Sequence, residues 1–237
     1  NWLKKRGGRD SVVIATKVAK LSTRRGLSAK NLQAACEDSL SRLKTDYIDL
    51  YYAHEDDPQT PLEETLGAFD SLIQSGKVRY IAASNFTAER LQKSLEVSRE
   101  NGFAAYVAAQ DQFNLLERDY ERTLQPTLVE NSLSQLPYFG LARGFLTGKY
   151  RPGKSVDSMR AGGMSSYQNE RGWALLSKID DLAEKYQTTV SAIALAWLRA
   201  QPSVAAPIAS ARTLEQLKEI MPVVELSTEE LQTLTNS

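Results

Sequence analysis

Histidine and cysteine are nearly absent: the chain has one of each, His54 and Cys36. A lone cysteine excludes an internal disulfide and a zinc cluster built on thiolates, and it fits a reducing compartment. With a single histidine beside it, the soft ligands needed for a protein-bound transition metal are missing. Net charge is also missing. The 29 basic and 29 acidic residues cancel, without a long block of either sign, so neither nucleic acid nor an anionic membrane is expected as a partner. No apolar run reaches the roughly 18 residues of a membrane span, and a cytoplasmic protein is expected. No G-x-G-x-x-G follows the first apolar run, which leaves a Rossmann dinucleotide site without support. The opening Asn1-Trp-Leu-Lys-Lys-Arg-Gly-Gly reads as the tail of a helix and its glycine stop, so sequence is expected upstream of residue 1.

What is there alternates. Strand-like apolar runs cover 12–18, 47–54, 78–83, 106–111, 135–139 and 204–209. Helical periodicity covers 28–43 (Ser28 as N-cap), 61–75 (stopped by Gly76), 87–100 (stopped by Gly102), 117–130, 170–186 and 189–200. Two short helices close the chain, the last opened by the capping box Ser227-Thr-Glu-Glu230. Residues 150–170 have no period and read as a long loop. Strict β-α alternation predicts a parallel sheet covered by helices, in one domain over 1–237. An open doubly wound sheet and a barrel both satisfy that pattern. Polar groups at the strand ends favour the barrel: Lys17, His54, Ser84-Asn85, Gln110 and Ser210-Ala-Arg212. An α/β barrel presents its chemistry on that rim. The fold expectation is therefore an α/β (β/α)8 TIM barrel, with six of its eight strands visible.

Six segments carry a resemblance that runs along essentially the whole chain. They are Ile14-Ala-Thr-Lys17, Asp46-Tyr-Ile-Asp-Leu-Tyr-Tyr-Ala-His54, Gly76-Lys-Val-Arg-Tyr-Ile-Ala-Ala-Ser84-Asn85-Phe, Gln110-Asp-Gln-Phe-Asn114, Leu141-Ala-Arg-Gly-Phe-Leu-Thr-Gly-Lys149-Tyr and Pro207-Ile-Ala-Ser-Ala-Arg212-Thr-Leu-Glu-Gln216. Each is weak alone; together, and in order, they resemble the aldo-keto reductases. The resemblance implies a (β/α)8 barrel that binds an extended nicotinamide cofactor, NADPH/NADP+, and reduces a small-molecule carbonyl substrate. The family's catalytic group is an Asp-Tyr-Lys-His tetrad. Lys17 matches its lysine and His54 its histidine. The tyrosine precedes the lysine by a few tens of residues in the family. Here 16 residues precede Lys17 and none is a tyrosine. The two strands not visible are also the first two. The expectation is that the segment carrying both lies upstream.

The resemblance also implies the remaining roles. Lys17 would lower the pKa of the tyrosine that gives the proton, and His54 would orient and polarise the substrate carbonyl. Ser84, Asn85 and Gln110 match positions that bond the nicotinamide carboxamide, and Tyr138 the residue that stacks on its ring. Phe139, Gly140, Leu141, Arg143 and Gly144 would follow the pyrophosphate, with Lys149 and Arg160 adding positive charge. Ser210 and Arg212 would hold the adenosine 2′-phosphate, and Gln216 would reach the adenine. Tyr52 shares a strand face with His54 but lies about two residues deeper, roughly 7 Å, and is not assigned as a substitute acid. Two readings compete with the reductase: a nicotinamide-binding regulatory subunit, and a barrel fragment inactive by itself. His54 argues against the former, because potassium-channel β-subunits of this family have asparagine there. Substrate identity and oligomeric state are not legible.

Overall fold

In this computed structural model, residues 2–153 and 164–237 are described. The chain divides into two compact units, 1–110 and 111–237. Among the described residues no helix is long and apolar enough to cross a membrane, and no group of three or more histidine, cysteine or acidic side chains could hold a metal ion.

The first unit opens with a short helix, α1 (Trp2–Arg6), and continues through β1 (Ala15–Val18) into a small antiparallel hairpin, β2 (Lys20–Leu21) and β3 (Arg24–Arg25). Three crossovers follow: α2 (Ala29–Leu43) to β4 (Ile48–Ala53), α3 (Leu62–Gln74) to β5 (Val78–Ser84), and α4 (Ala88–Asn101) to β6 (Tyr106–Gln110). β1 pairs with β4, β4 with β5 and β5 with β6, all parallel. The logic is visible in β4, where Tyr51, Tyr52 and Ala53 are all buried. Burial on both faces is what a strand in a helix-covered parallel sheet requires. Tyr51 meets the Phe69 ring of α3 edge-on at 5.6 Å, and Phe69 meets Tyr106 of β6 at 6.1 Å. These aromatic contacts tie the helix layer to the sheet.

Helix boundaries fall within a residue or two of the periodicity, but the caps differ. Ser28 stands at the N-cap of α2 and makes no side-chain cap bond; instead Glu64 Oε1 of α3 accepts from Ala29 N at 2.9 Å. The expected strand over 12–18 is a strand only from Ala15.

The start of β4 is fixed by charge. Asp49 is buried and accepts from Ile14 N at 2.9 Å, and it pairs with Arg9 at 2.7 Å and Arg79 at 3.0 Å. Both guanidinium carbons lie 3.9 Å from the centroid of the Tyr47 ring, one cation-π contact for each arginine. Burial alone would raise the Asp49 pKa, but the Ile14 amide and the two arginines outweigh it and hold it below the ordinary carboxylate value. A carboxylate depressed in the folded state adds stability above about pH 3.9, its unfolded value. That stability is lost as pH falls through the folded value. Asp49→Ala strands two cations, one of them half-exposed, and is expected to cost about 2–3 kcal/mol in urea unfolding. The variant should also lose part of the wild type's acid-side decline.

In the second unit, α5 (Asp119–Thr123) and α6 (Gln125–Glu130) replace the single helix expected over 117–130. Pro126 explains the break, since it has no N–H to donate back and sits at the start of α6. The run 135–139 contributes only β7 (Ser134–Gln135). The sixth expected strand, 204–209, is not formed. Val204 makes a single bridge to Gln135, and beyond it Ala205 and Ile208 each donate one backbone bond, to Gln135 and Pro137. Pro207 cannot donate, and three alanines give a strand little side chain to pack. Helices α7 (Glu170–Lys185), α8 (Val190–Arg199), α9 (Leu214–Ile220) and α10 (Thr228–Thr235) complete the unit. The capping box of α10 is present in both directions between Ser227 and Glu230. Trp197 of α8 is fully buried, 5.3 Å from Phe113, and its indole N–H donates to Thr235 at 3.0 Å.

Candidate active site

Register decides which side chains meet in the first unit. Side chains paired across parallel strands point to the same face. Lys17 lies opposite Tyr52, Tyr52 opposite Ala82 and Ala82 opposite Ala108. Two residues on, and so on the same face, Ser84 lies opposite Gln110, and His54 follows β4 directly, its N–H donating to Val18 O at 2.9 Å. Lys17, His54, Ser84, Asn85 and Gln110 therefore gather at the carboxyl ends of four adjacent strands.

They are wired to one another. The Lys17 ammonium donates to Gln110 Oε1 and lies 5.3 Å from the Tyr52 ring centroid. Ser84 Oγ donates to Gln110 O at 2.7 Å. Asn85, in the left-handed region at φ 56°, donates its amide to His54 O at 2.9 Å and contacts Ser84 Oγ at 3.0 Å. The carboxamide-binding trio expected from the sequence thus links β4, β5 and β6, and the Gln110 amide oxygen is already taken by Lys17.

His54 is half-buried. Its pKa is lowered by burial first, then by the ammonium groups of Lys17 and Lys20, against a smaller opposing pull from Glu55. The imidazole is therefore neutral at pH 7 and able to donate one N–H to a carbonyl oxygen. Because the chain has one histidine, a single imidazole resonance reports it. Its NMR titration midpoint should lie below the ordinary value near 6.5, and Lys17→Met should move it upward. A midpoint unchanged by that substitution would remove Lys17 from the electrostatics of His54.

The loop after His54 is held by residues that sequence reasoning missed. Asp57 accepts from Leu27 N at 2.8 Å and from Thr60 Oγ1 at 2.7 Å, and a Cβ on Gly26 would stand 2.8 Å from its carboxylate. Asp56 pairs with Arg90 at 2.8 Å. The acidic stretch 55–57 was legible only as a turn, because Leu27 and Arg90, its long-range partners, lie about 30 residues away on either side.

In the second unit, Tyr138 bridges to Gln112 and is tied by its N–H to Asp111 O at 3.1 Å. Its ring meets Phe139 edge-on at 5.1 Å, and the Arg143 guanidinium lies 4.4 Å from the Phe139 centroid. Asn114, which closes the segment Gln110–Asn114 and was given no role from sequence, is fully buried, donates to Phe139 O at 3.0 Å and fixes this corner. From Phe139 to Gly144 the backbone is coiled, with positive φ at Phe139, Ala142, Arg143 and Gly144. The Ala142 amide closes on Phe139 O, and that of Gly144 on Leu141 O. A Cβ on Gly140 would meet Leu198 at 2.8 Å, so that glycine lets the segment approach α8. Lys149 is exposed, with its chain near Gly144. Arg160 lies outside the described residues.

Ser210 and Arg212 are exposed ahead of α9. Gln216 is exposed too, and its amide oxygen accepts from Arg212 N at 2.9 Å, while Thr213 Oγ1 accepts from the Gln216 backbone N–H. Through that oxygen the Gln216 side chain braces the turn that carries Arg212.

Comparison with known proteins adds the following. The family model described as "Aldo/keto reductase family" matches residues 1–237. The chain is 35% identical over 227 residues to the uncharacterized oxidoreductase YrpG of Bacillus subtilis, covering 92% of this chain and 69% of that protein. It is 33% identical to a putative voltage-gated potassium channel subunit beta of Schizosaccharomyces pombe, covering 92% of this chain and 67% of that one. The solved thermostable aldo-keto reductase Tm1743, in complex with the inhibitor epalrestat, superposes with a TM-score of 0.78 at 29% identity. It covers 98% of this chain and 73% of that chain. This likeness gives the α/β barrel class expected from the strand ends.

Proposed function

Because the chain belongs to the aldo/keto reductase family, we propose that it reduces small aldehydes and ketones to alcohols with NADPH. One observation carries the reading. Lys17, a neutral His54 and the polar trio Ser84, Asn85 and Gln110 converge on adjacent strand ends of the first unit. The donor set suits a nicotinamide cofactor. Amide and hydroxyl groups of the first unit can pair with a carboxamide; in the second unit, taken by itself, Tyr138 matches the family's ring-stacking residue and Arg143, Lys149 and Arg212 match its phosphate-facing cations. The cofactor, when bound, supplies the hydride, which no side chain can.

The protein's own work is electrostatic. His54 donates a hydrogen bond to the carbonyl oxygen, where negative charge grows during reduction. Lys17 favours the ionised form of a phenol beside it and so makes that phenol a better acid. None of residues 1–16 is a tyrosine, and no side chain of this chain is assigned as the proton donor.

The test is NADPH consumption by the purified protein with a panel of aldehydes and ketones. Turnover that needs both cofactor and carbonyl supports the reading. NADPH binding without turnover favours a second reading, a nicotinamide-binding regulatory subunit, which rests on the similarity to the potassium-channel subunit. Absence of both binding and turnover overturns the two together.

A further inference from the structure

A group that orients a carbonyl must itself be held in place, because small displacements of a catalytic donor cost rate. His54 is held through its main chain. Its N–H donates to Val18 O at 2.9 Å, and its C=O accepts from Asn85 Nδ2 at 2.9 Å. The chain leaving it is held by Asp57. Oδ2 of Asp57 accepts from Leu27 N at 2.8 Å and from Thr60 Oγ1 at 2.7 Å, and Oδ1 accepts from Gln59 N at 3.2 Å. Burial works against the charge on this carboxylate, but the Leu27 amide and the Thr60 hydroxyl prevail and keep its pKa below the ordinary value. It is therefore ionised at neutral pH, and its bonds are charge-assisted.

The bonds to Gln59 and Thr60 close the loop on itself, whereas the bond to Leu27 leaves it. Leu27 is buried, and its C=O accepts from Thr65 Oγ1 at 3.1 Å. Gly26, just before it, donates its N–H to Ala19 O at 3.2 Å, and Ala19 follows the strand that carries Lys17. Ala19 is buried with φ 99°, a left-handed setting that an alanine keeps only where its surroundings fix it. Asp57, Leu27, Gly26 and Ala19 thus close a ring between the exits of β1 and β4, completed by the bond from His54 N to Val18 O. One exit carries Lys17 and the other His54. Gly26, at φ 80°, lets the carboxylate come this near, since a Cβ there would stand 2.8 Å from Asp57 Oδ2.

We propose that Asp57 is a positioning residue for carbonyl reduction: by holding Leu27 N it fixes the loop after His54 against the segment leaving β1, and so sets the spacing of His54 and Lys17. Asp57 acts through His54 and touches neither substrate nor cofactor. Its part in reduction rests on the reductase reading above.

The test compares Asp57→Ala, which deletes every acceptor, with Asp57→Asn, which keeps one oxygen for Leu27 N and Thr60 Oγ1. The His54 imidazole resonance reads the spacing without turnover, because its midpoint is lowered by burial and then by Lys17 and Lys20, against Glu55. In Asp57→Ala the midpoint should rise toward about 6.5. Its kcat should fall roughly 10–100-fold, while NADPH affinity holds. In Asp57→Asn both readouts should return most of the way to wild type. Thr60→Val is the control for stability. It removes one donor and leaves the Leu27 bond, so it should lower the melting temperature without moving either readout. An unchanged midpoint and kcat in Asp57→Ala would overturn the proposal. So would a loss of kcat in Thr60→Val that matches its loss of melting temperature, for the carboxylate would then be merely structural. If Asp57→Ala does not fold, Gly26→Ala replaces it, its methyl displacing the carboxylate, and an unchanged midpoint there is equally fatal. A wild type that binds NADPH but turns over no carbonyl ends the reductase reading and the role in reduction with it, while the midpoints still decide whether Asp57 sets the spacing.

Discussion

Lys17→Met and His54→Ala are each expected to cut carbonyl turnover by roughly 10²–10⁴-fold while NADPH still binds. The two losses have different origins. Methionine fills much of the lysine's volume without its charge. Lys17→Met therefore tests the field that the ammonium exerts on a proton-donating phenol and on His54. Removing that field also removes one cause of the lowered His54 pKa, so the variant's residual rate should show its acid-side decline at higher pH than the wild type. His54→Ala deletes the donor to the carbonyl oxygen, and its residual rate should lack that decline. Binding serves as the control. Gln110 loses its Lys17 bond in the first variant, so NADPH affinity should hold or improve, whereas a collapsed site would lose it. If both variants turned over like wild type, the strand-end assignment of the catalytic group would be wrong.

The gathering of these residues at adjacent strand ends was legible because strand-end chemistry is local. A buried run such as Ile48–Ala53 announces a strand, and the polar residue that ends it announces the rim. Lys17, His54, Ser84 and Gln110 all follow that pattern, and the register then places them together. Contacts between distant residues were not legible. Lys17 and Gln110 are separated by 93 positions, and nothing in either segment says that the lysine will spend its proton on that amide. The same holds for Arg9 and Arg79 against Tyr47, and for Asp57 under Gly26. The sequence also over-read the run 204–209. Apolar content alone suggested a strand, but Pro207 and three small side chains leave it as one bridge and two further bonds. The hydrogen-bond capacity of Gln216 was visible, but not that its oxygen would accept from the Arg212 amide in the turn before α9.

Arg212 carries the second large effect. Its side chain is exposed and its backbone N–H is pinned by Gln216, so the guanidinium stands on a braced turn with Ser210 two residues before it. If that pair receives the adenosine 2′-phosphate, Arg212→Ala should weaken NADPH by roughly 10–100-fold, the worth of a charge-assisted bond to phosphate. NADH, which lacks that phosphate, should change little. Exposure adds a further requirement. An attraction between solvent-facing charges is screened by salt over about 10 Å at 0.1 M. The wild type's preference for NADPH should therefore shrink as ionic strength rises, and the variant's residual preference should respond less. Gln216→Ala separates the two parts of the device. It keeps the cation but releases the turn, so it should cost NADPH less than Arg212→Ala does and leave the salt response in place. Equal loss of both cofactors in Arg212→Ala would mean that the arginine holds something common to them, and the 2′-phosphate assignment would then have to be abandoned.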